Sequence, residues 1–143
     1  MKVYIDADAC PVVDIAITLC NQYKVPCILV CDTAHIMQRN GAEVIIMDKG
    51  SDSVDFAIAN RIESGDIVVT QDYGLASMCL AKGARAIHQD GWEYTQWNID
   101  ALLLQRHESR KYRESGRHIK GPKKRTQQLN QAFSKAFEKL LQG

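Results

Sequence analysis

Five short runs rich in β-branched residues, each followed by residues with helical spacing, constrain this chain more than any other feature. Val3 to Ala7 predicts a first strand. Behind it Pro11 suits an early helical position, and Val12, Ile15, Ala16 and Leu19 fall at i, i+3, i+4 and i+7. Ile28 to Val30 and Val44 to Met47 predict two further strands, separated by a connection that holds His35 to Gly41. Ser51 or Asp52 can cap a helix carrying Val54, Ala57, Ile58 and Ile62, which Gly65 stops. Ile67 to Thr70 predicts a fourth strand, Leu75, Ala76, Met78 and Cys79 a short helix ending at Gly83, and Ala84 to His88 a fifth strand. Strands that alternate with helices and are almost continuously apolar predict an α/β fold, a parallel sheet covered on both faces in three layers.

Beyond Gly91 the pattern is helical only. Ile99, Leu102 and Leu103 open an amphipathic segment that runs into Arg106, Arg110, Lys111 and Arg113, and Leu129, Phe133, Ala136, Phe137 and Leu140 mark a final helix. Between them residues 115–125 carry five Lys and Arg and no acid. A length of 143 residues fits a single domain, 1–143, with an α/β core over 1–92 and a basic helical extension over 93–143. The net charge of +1 averages two unlike pieces. Residues 1–100 hold 14 acids against 7 bases, a balance of −7, and residues 101–143 hold 3 against 11, a balance of +8. That asymmetry points toward a polyanionic partner.

Other classes are disfavoured. Asp6 and Asp8 interrupt any apolar leader, and the apolar stretch from Val25 to Cys31 is too short to span a bilayer and contains Pro26. Five cysteines form an odd set with no CxxC pair, which fits reduced thiols and a cytoplasmic location. Cys27, Cys31 and His35 stand four apart, but a strand there buries its cysteines as small hydrophobes rather than metal ligands. No G-x-G-x-x-G or P-loop motif is present.

In an open parallel sheet, ligands bind beyond the carboxyl ends of the strands, where the strand order reverses. The residues at those ends are acidic: Asp6 and Asp8, Asp48, Asp72 and Asp90, with Asp52 and Asp55 at the start of a helix near the same edge. Two carboxylates about 4 Å apart repel by about 4 kcal/mol at an effective dielectric near 20, so such a cluster needs a cation or takes up protons. Hard oxygen donors favour Mg²⁺ or Mn²⁺, which serve phosphoryl transfer and phosphodiester hydrolysis. Asp52 and Asp72 equally suit helix caps, and Asp14, Asp32 and Asp66 read as solvated charges.

The string DADACPV at the end of the first strand, with GSDSVDFAI (50–58), GDIVVTQDYGLASMCLAKGA (65–84) and YTQWNIDALLLQR (94–106), closely resembles the YaiI/YqxD family of small bacterial proteins, grouped with PIN-like nuclease domains. The resemblance spans nearly the whole chain. It implies a five-stranded parallel sheet of order 3-2-1-4-5 and an acidic pocket that binds Mg²⁺ or Mn²⁺ for RNA hydrolysis. By position it makes Asp6 the acid ending strand one, Asp55 the helix acid and Asp72 the acid after strand four, with Thr70 as a polar neighbour. Asp8 is an extra carboxylate of the DADACP pattern, and Asp52 and Asp90 are further candidates. The D-x-D pair and the basic extension depart from a minimal PIN domain.

The leading expectation is therefore a divalent-metal-dependent nuclease acting on RNA, with single-stranded RNA or another nucleic acid as partner, Asp6, Asp8, Asp55 and Asp72 as ligands and catalytic acids and Asp52 as an additional ligand. Arg110, Arg113, Arg117, Lys120, Lys123, Lys124 and Arg125 can neutralise phosphates, or form a solvated linker. Two alternatives stand beside it. One is a haloacid-dehalogenase-like phosphatase with Asp6 as nucleophile and Asp8 as acid and base; the other is a non-catalytic RNA- or protein-binding module. Trp92, Tyr94 and Trp97 suit packing under the last helix more than base stacking, and the histidines receive no catalytic role. Cys10, at a helix N-terminus, is expected to have a lowered pKa.

Overall fold

The computed structural model describes residues 1–48, 53–114, 116 and 124–143, the side chains of 53, 106 and 112–114 excepted. Strands β1 (Val3–Asp6), β2 (Cys27–Asp32), β3 (Glu43–Met47), β4 (Ile67–Val69) and β5 (Arg85–Ile87) form one sheet of order β3-β2-β1-β4-β5. Every neighbouring pair is parallel, in the order that the resemblance implies. The helices are α1 (Val13–Gln22), α2 (Ser53–Arg61), α3 (Tyr73–Ala81), α4 (Gln96–Glu114) and α5 (Gln127–Leu141).

Alternation along each strand sends side chains to two faces, and two separate apolar clusters result. On one face Val3, Ile5, Leu29, Ile67 and Val69 meet Val13, Ala16 and Ile17 of α1 and Phe133, Phe137 and Leu140 of α5. On the other, Tyr4, Ile28, Val30 and Val68 meet Val54 and Ile58 of α2, Leu75 and Cys79 of α3, and Ile99 of α4. Three layers follow, as the periodicity predicts. The edge strand β3 is half open, with Ile46 exposed.

The last helix is fixed at three points. Thr126 caps it by accepting a hydrogen bond from the Leu129 N–H. Tyr23, at the end of α1, donates its hydroxyl proton to Glu138 and accepts from Gln142 at 2.9 Å. Gly91, at φ +92°, lies against the backbone of Ala132, where a Cβ would meet the carbonyl carbon at 2.5 Å. Only glycine serves there, because it combines a left-handed conformation with a close backbone approach.

Some expectations change. Trp92 and Tyr94 do not pack under the last helix; they lie on the opposite face, with α3 and α4, while Trp97 is 86% exposed. Asp66 is buried rather than solvated, because its carboxylate accepts the Lys2 and Glu63 backbone N–H groups, both at 2.9 Å. No helix among the described residues is long and apolar enough to cross a membrane.

Candidate functional site

β1 pairs with β2 on one side and β4 on the other, so the strand order reverses beside β1. A narrow cleft opens there, lined by Asp6, Asp8, Cys10, Thr70, Gln71 and Gln89. It occupies the place where open parallel sheets bind ligands. Asp6 closes β1, and Asp8 lies in the turn that follows, where Ala9 takes a left-handed φ of 58°. Such a conformation costs an alanine roughly 1 kcal/mol and is characteristic of functional turns.

Thr70 organises the acids. Its hydroxyl donates to Asp6 Oδ2 at 2.9 Å and accepts the Asp72 backbone N–H at 3.0 Å. Tyr94, buried behind the site, donates its hydroxyl proton to the Thr70 carbonyl at 3.1 Å. Asp72 is the N-cap of α3, where its Oδ1 accepts from Gly74 and Leu75. The capping reading of Asp72 thus holds, and its carboxylate still acts electrostatically on Asp6. Burial, followed by the charges of Asp72 and Asp8, pushes the Asp6 pKa up to about 6 against the pull of the Thr70 hydrogen bond. Burial also raises Asp8, opposed by the Asp32 N–H and by His35.

Asp55 is half-buried in the first turn of α2, where its charge acts on Cys79 of α3. Asp52 lies outside the described residues, as do Arg117, Lys120, Lys123 and the side chain of Arg113. Arg110 and Lys124 are exposed. Arg125 is engaged within the fold, donating to Asp90 at 2.9 Å, the Gln89 carbonyl at 2.7 Å and Asn130 at 2.6 Å. The same contact neutralises Asp90. The Cys10 thiol departs from expectation, since burial lifts its pKa to about 11 and helix α1 begins only at Val13.

One grouping escaped the sequence reading. Asp8, Asp32 and His35 bring ligating atoms within 4.8 Å of one another, whereas Asp6, Asp55 and Asp72 belong to no such group among the described residues. The signal was the Asp-x-x-His pattern at the end of β2, which the neighbouring Cys27 and Cys31 obscured. Both cysteines are core thiols, as expected.

The family described as "Uncharacterized BCR, YaiI/YqxD family" matches residues 4–143, nearly the full chain and all of the cleft. The chain belongs to the YaiI/YqxD family. A UPF0178 protein of Exiguobacterium sibiricum is 53% identical over 141 residues, covering 99% of this chain and 96% of its own length. UPF0178 proteins of Clostridium acetobutylicum and Bacillus anthracis are 48% and 42% identical, with at least 97% of each chain covered. No solved structure matches. Membership of the YaiI/YqxD family agrees with the DADACPV and T-x-D segments, which supply Asp6, Asp8 and Thr70 to one cleft and set Asp72 beside it, its N–H on the Thr70 hydroxyl.

Proposed function

We propose that this protein is a divalent-metal-dependent phosphodiesterase that cleaves single-stranded RNA at the Asp6 cleft. The observation that carries the reading is the electrostatic state of Asp6. A partly buried carboxyl at the strand-order switch, its pKa raised to about 6 first by desolvation and then by the charges of Asp72 and Asp8, is a site whose negative charge a cation or a proton offsets. The donors are hard carboxylate oxygens, the set that suits Mg²⁺ or Mn²⁺. Asp6, Asp8 and Asp72 would hold the ion, with Asp55 and Asp52 as further carboxylates from α2 and the residues before it. When bound, the ion supplies the positive charge that lets a phosphodiester approach several carboxylates and stabilises charge developing on phosphoryl oxygens.

The chain's own groups set the geometry. Thr70 engages Asp6 Oδ2 and the α3 cap engages Asp72 Oδ1, so each carboxylate is oriented with its other oxygen left to a ligand. Thr70 is itself held by the buried Tyr94, whose hydroxyl donates to its carbonyl. Exposed Arg110 and Lys124, together with Arg113, Arg117, Lys120 and Lys123, would neutralise the RNA backbone, while Arg125 holds the cleft rim at Gln89.

The test is cleavage of labelled single-stranded RNA with Mg²⁺ or Mn²⁺, comparing wild type with Asp6→Asn and Asp72→Asn. Asparagine caps a helix as well as aspartate does, so Asp72→Asn preserves α3 while removing the charge. Both variants are expected to lose at least 100-fold in rate. Cleavage at the wild-type rate by Asp6→Asn, or equal cleavage in chelator, overturns the reading.

A further inference from the structure

We infer that Asp8, Asp32 and His35 form a binding site for one divalent transition ion of the Zn²⁺, Co²⁺ or Mn²⁺ class, next to the Asp6 cleft and sharing Asp8 with it. The site comes from two chain segments. In the parallel pairing of β1 with β2, Asp6 stands opposite Val30, and the same offset sets Asp8 beside Asp32, whose N–H donates to Asp8 Oδ1 at 3.4 Å. The turn after β2 then returns His35 to the same point, because its N–H donates to the Asp32 carbonyl at 3.2 Å.

The three donors lie within 4.8 Å of one another, close enough for small side-chain shifts to bring them round one ion. With bonds of about 2.1 Å, an ion sets adjacent donors about 3.0 Å apart in an octahedron and about 3.4 Å in a tetrahedron. His35 Nδ1 lies 2.9 Å from Asp32 Oδ1 and 3.7 Å from Asp8 Oδ1. Asp32 Oδ1 also accepts the Ala34 N–H at 2.9 Å, which fixes the direction of the carboxylate. Facing a carboxylate, Nδ1 carries the ring proton, and an ion entering the group takes that proton's place. Binding at Nδ1 therefore shifts the neutral ring to its other tautomer, the proton leaving Nδ1 for solvent and Nε2 taking one up, with no net proton released.

Composition gives the ligand class. An imidazole joined to two carboxylates favours transition ions over Mg²⁺, unlike the all-oxygen set around Asp6. His35 is 58% exposed while Asp8 and Asp32 are largely covered, so three protein donors meet solvent on one side. That is the form of a site with open positions rather than a closed structural one. Asp8 lies in the turn after β1 and Asp32 ends β2, so neither belongs to a buried core that would exclude an ion.

Zn²⁺ and Co²⁺ titrations of the full chain test this independently of RNA cleavage. A Cys10→Ser background removes the half-buried thiol that would compete, the other four cysteines being buried. One equivalent of Zn²⁺ is expected to move the His35 ring proton from Nδ1 to Nε2, read by ¹⁵N resonance shifts of the imidazole. His35→Ala and Asp32→Asn are each expected to weaken Co²⁺ binding at least tenfold by calorimetry, leaving Mg²⁺ binding unchanged. The side chain of His35 is mostly in solvent, so its removal leaves the fold intact. Persistence of the Nδ1 proton at saturating Zn²⁺, or undiminished Co²⁺ affinity in both variants, overturns the inference. Either failure leaves the Asp6 reading standing, and Asp72→Asn, which addresses that reading, is expected to retain the Co²⁺ site.

Discussion

Asp6 concentrates the energetics of the site in one carboxyl group. Its folded-state pKa of about 6 exceeds the ordinary 3.8, so the native state holds the proton more tightly than the unfolded chain. Stability then rises as pH falls from about 6 toward 4, and the cost of ionisation is fully present above 6. Asp6→Asn keeps an acceptor for the Thr70 hydroxyl and removes the charge. In chelator at pH 7.5 it is expected to stabilise the protein by about 1–3 kcal/mol in urea denaturation, with the gain shrinking below pH 5. A gain independent of pH would show that the carboxylate is not the source. On the proposed function saturating Mg²⁺ is expected to reverse the order, because an ion that binds the native state at Asp6 stabilises only the chain that can hold it there.

At the scale of elements, the junction of β5 with α5 rests on Gly91. Gly91→Ala adds a Cβ where the Ala132 backbone stands and imposes a left-handed φ on a side-chain residue. It is expected to destabilise by about 2–4 kcal/mol, measured as a lower urea midpoint with an unchanged slope. The strands and helices themselves were legible in the sequence, since β-branched runs and 3.6-residue spacing report burial directly. Helix α1 shows the limit. Val13, Ile17 and Cys20 are buried beside Val12 and Ala16, while the expected Ile15 and Leu19 lie at the margin. A helix covered by both the sheet and α5 buries a broader arc than one stripe. Asp6, Asp8 and Thr70 were legible because strand ends in parallel sheets gather at one edge. The Asp8–Asp32–His35 grouping was not, because it depends on interstrand register and on a turn that folds His35 back. Asp66 was misread for a similar reason, its partners being backbone groups of Lys2 and Glu63.

Across the whole molecule, the −7 body and +8 tail are joined by an ion pair of the Arg125 guanidinium with Asp90, beside its hydrogen bond to the Gln89 carbonyl. Gln89 lines the Asp6 cleft, so the start of the last helical segment is tied to the site rim. Phe133, Phe137 and Leu140 belong to the same apolar cluster as Val3, Ile5 and Leu29. A chain ended at residue 126 would lose that cover. It is expected to unfold without a cooperative transition and to bind the dye ANS, whereas a cooperative transition near the full-length midpoint would show α5 to be dispensable.

The same cover imposes an order on biogenesis. β1 precedes the other strands and becomes the central one, yet the face it shares with α1 is completed only when residues 127–141 fold onto it. Until those residues have been made, part of that apolar face lies uncovered. A chain so arranged closes its core only after α5 has been made, and its yield in the cell should respond to chaperones that shield emerging chains.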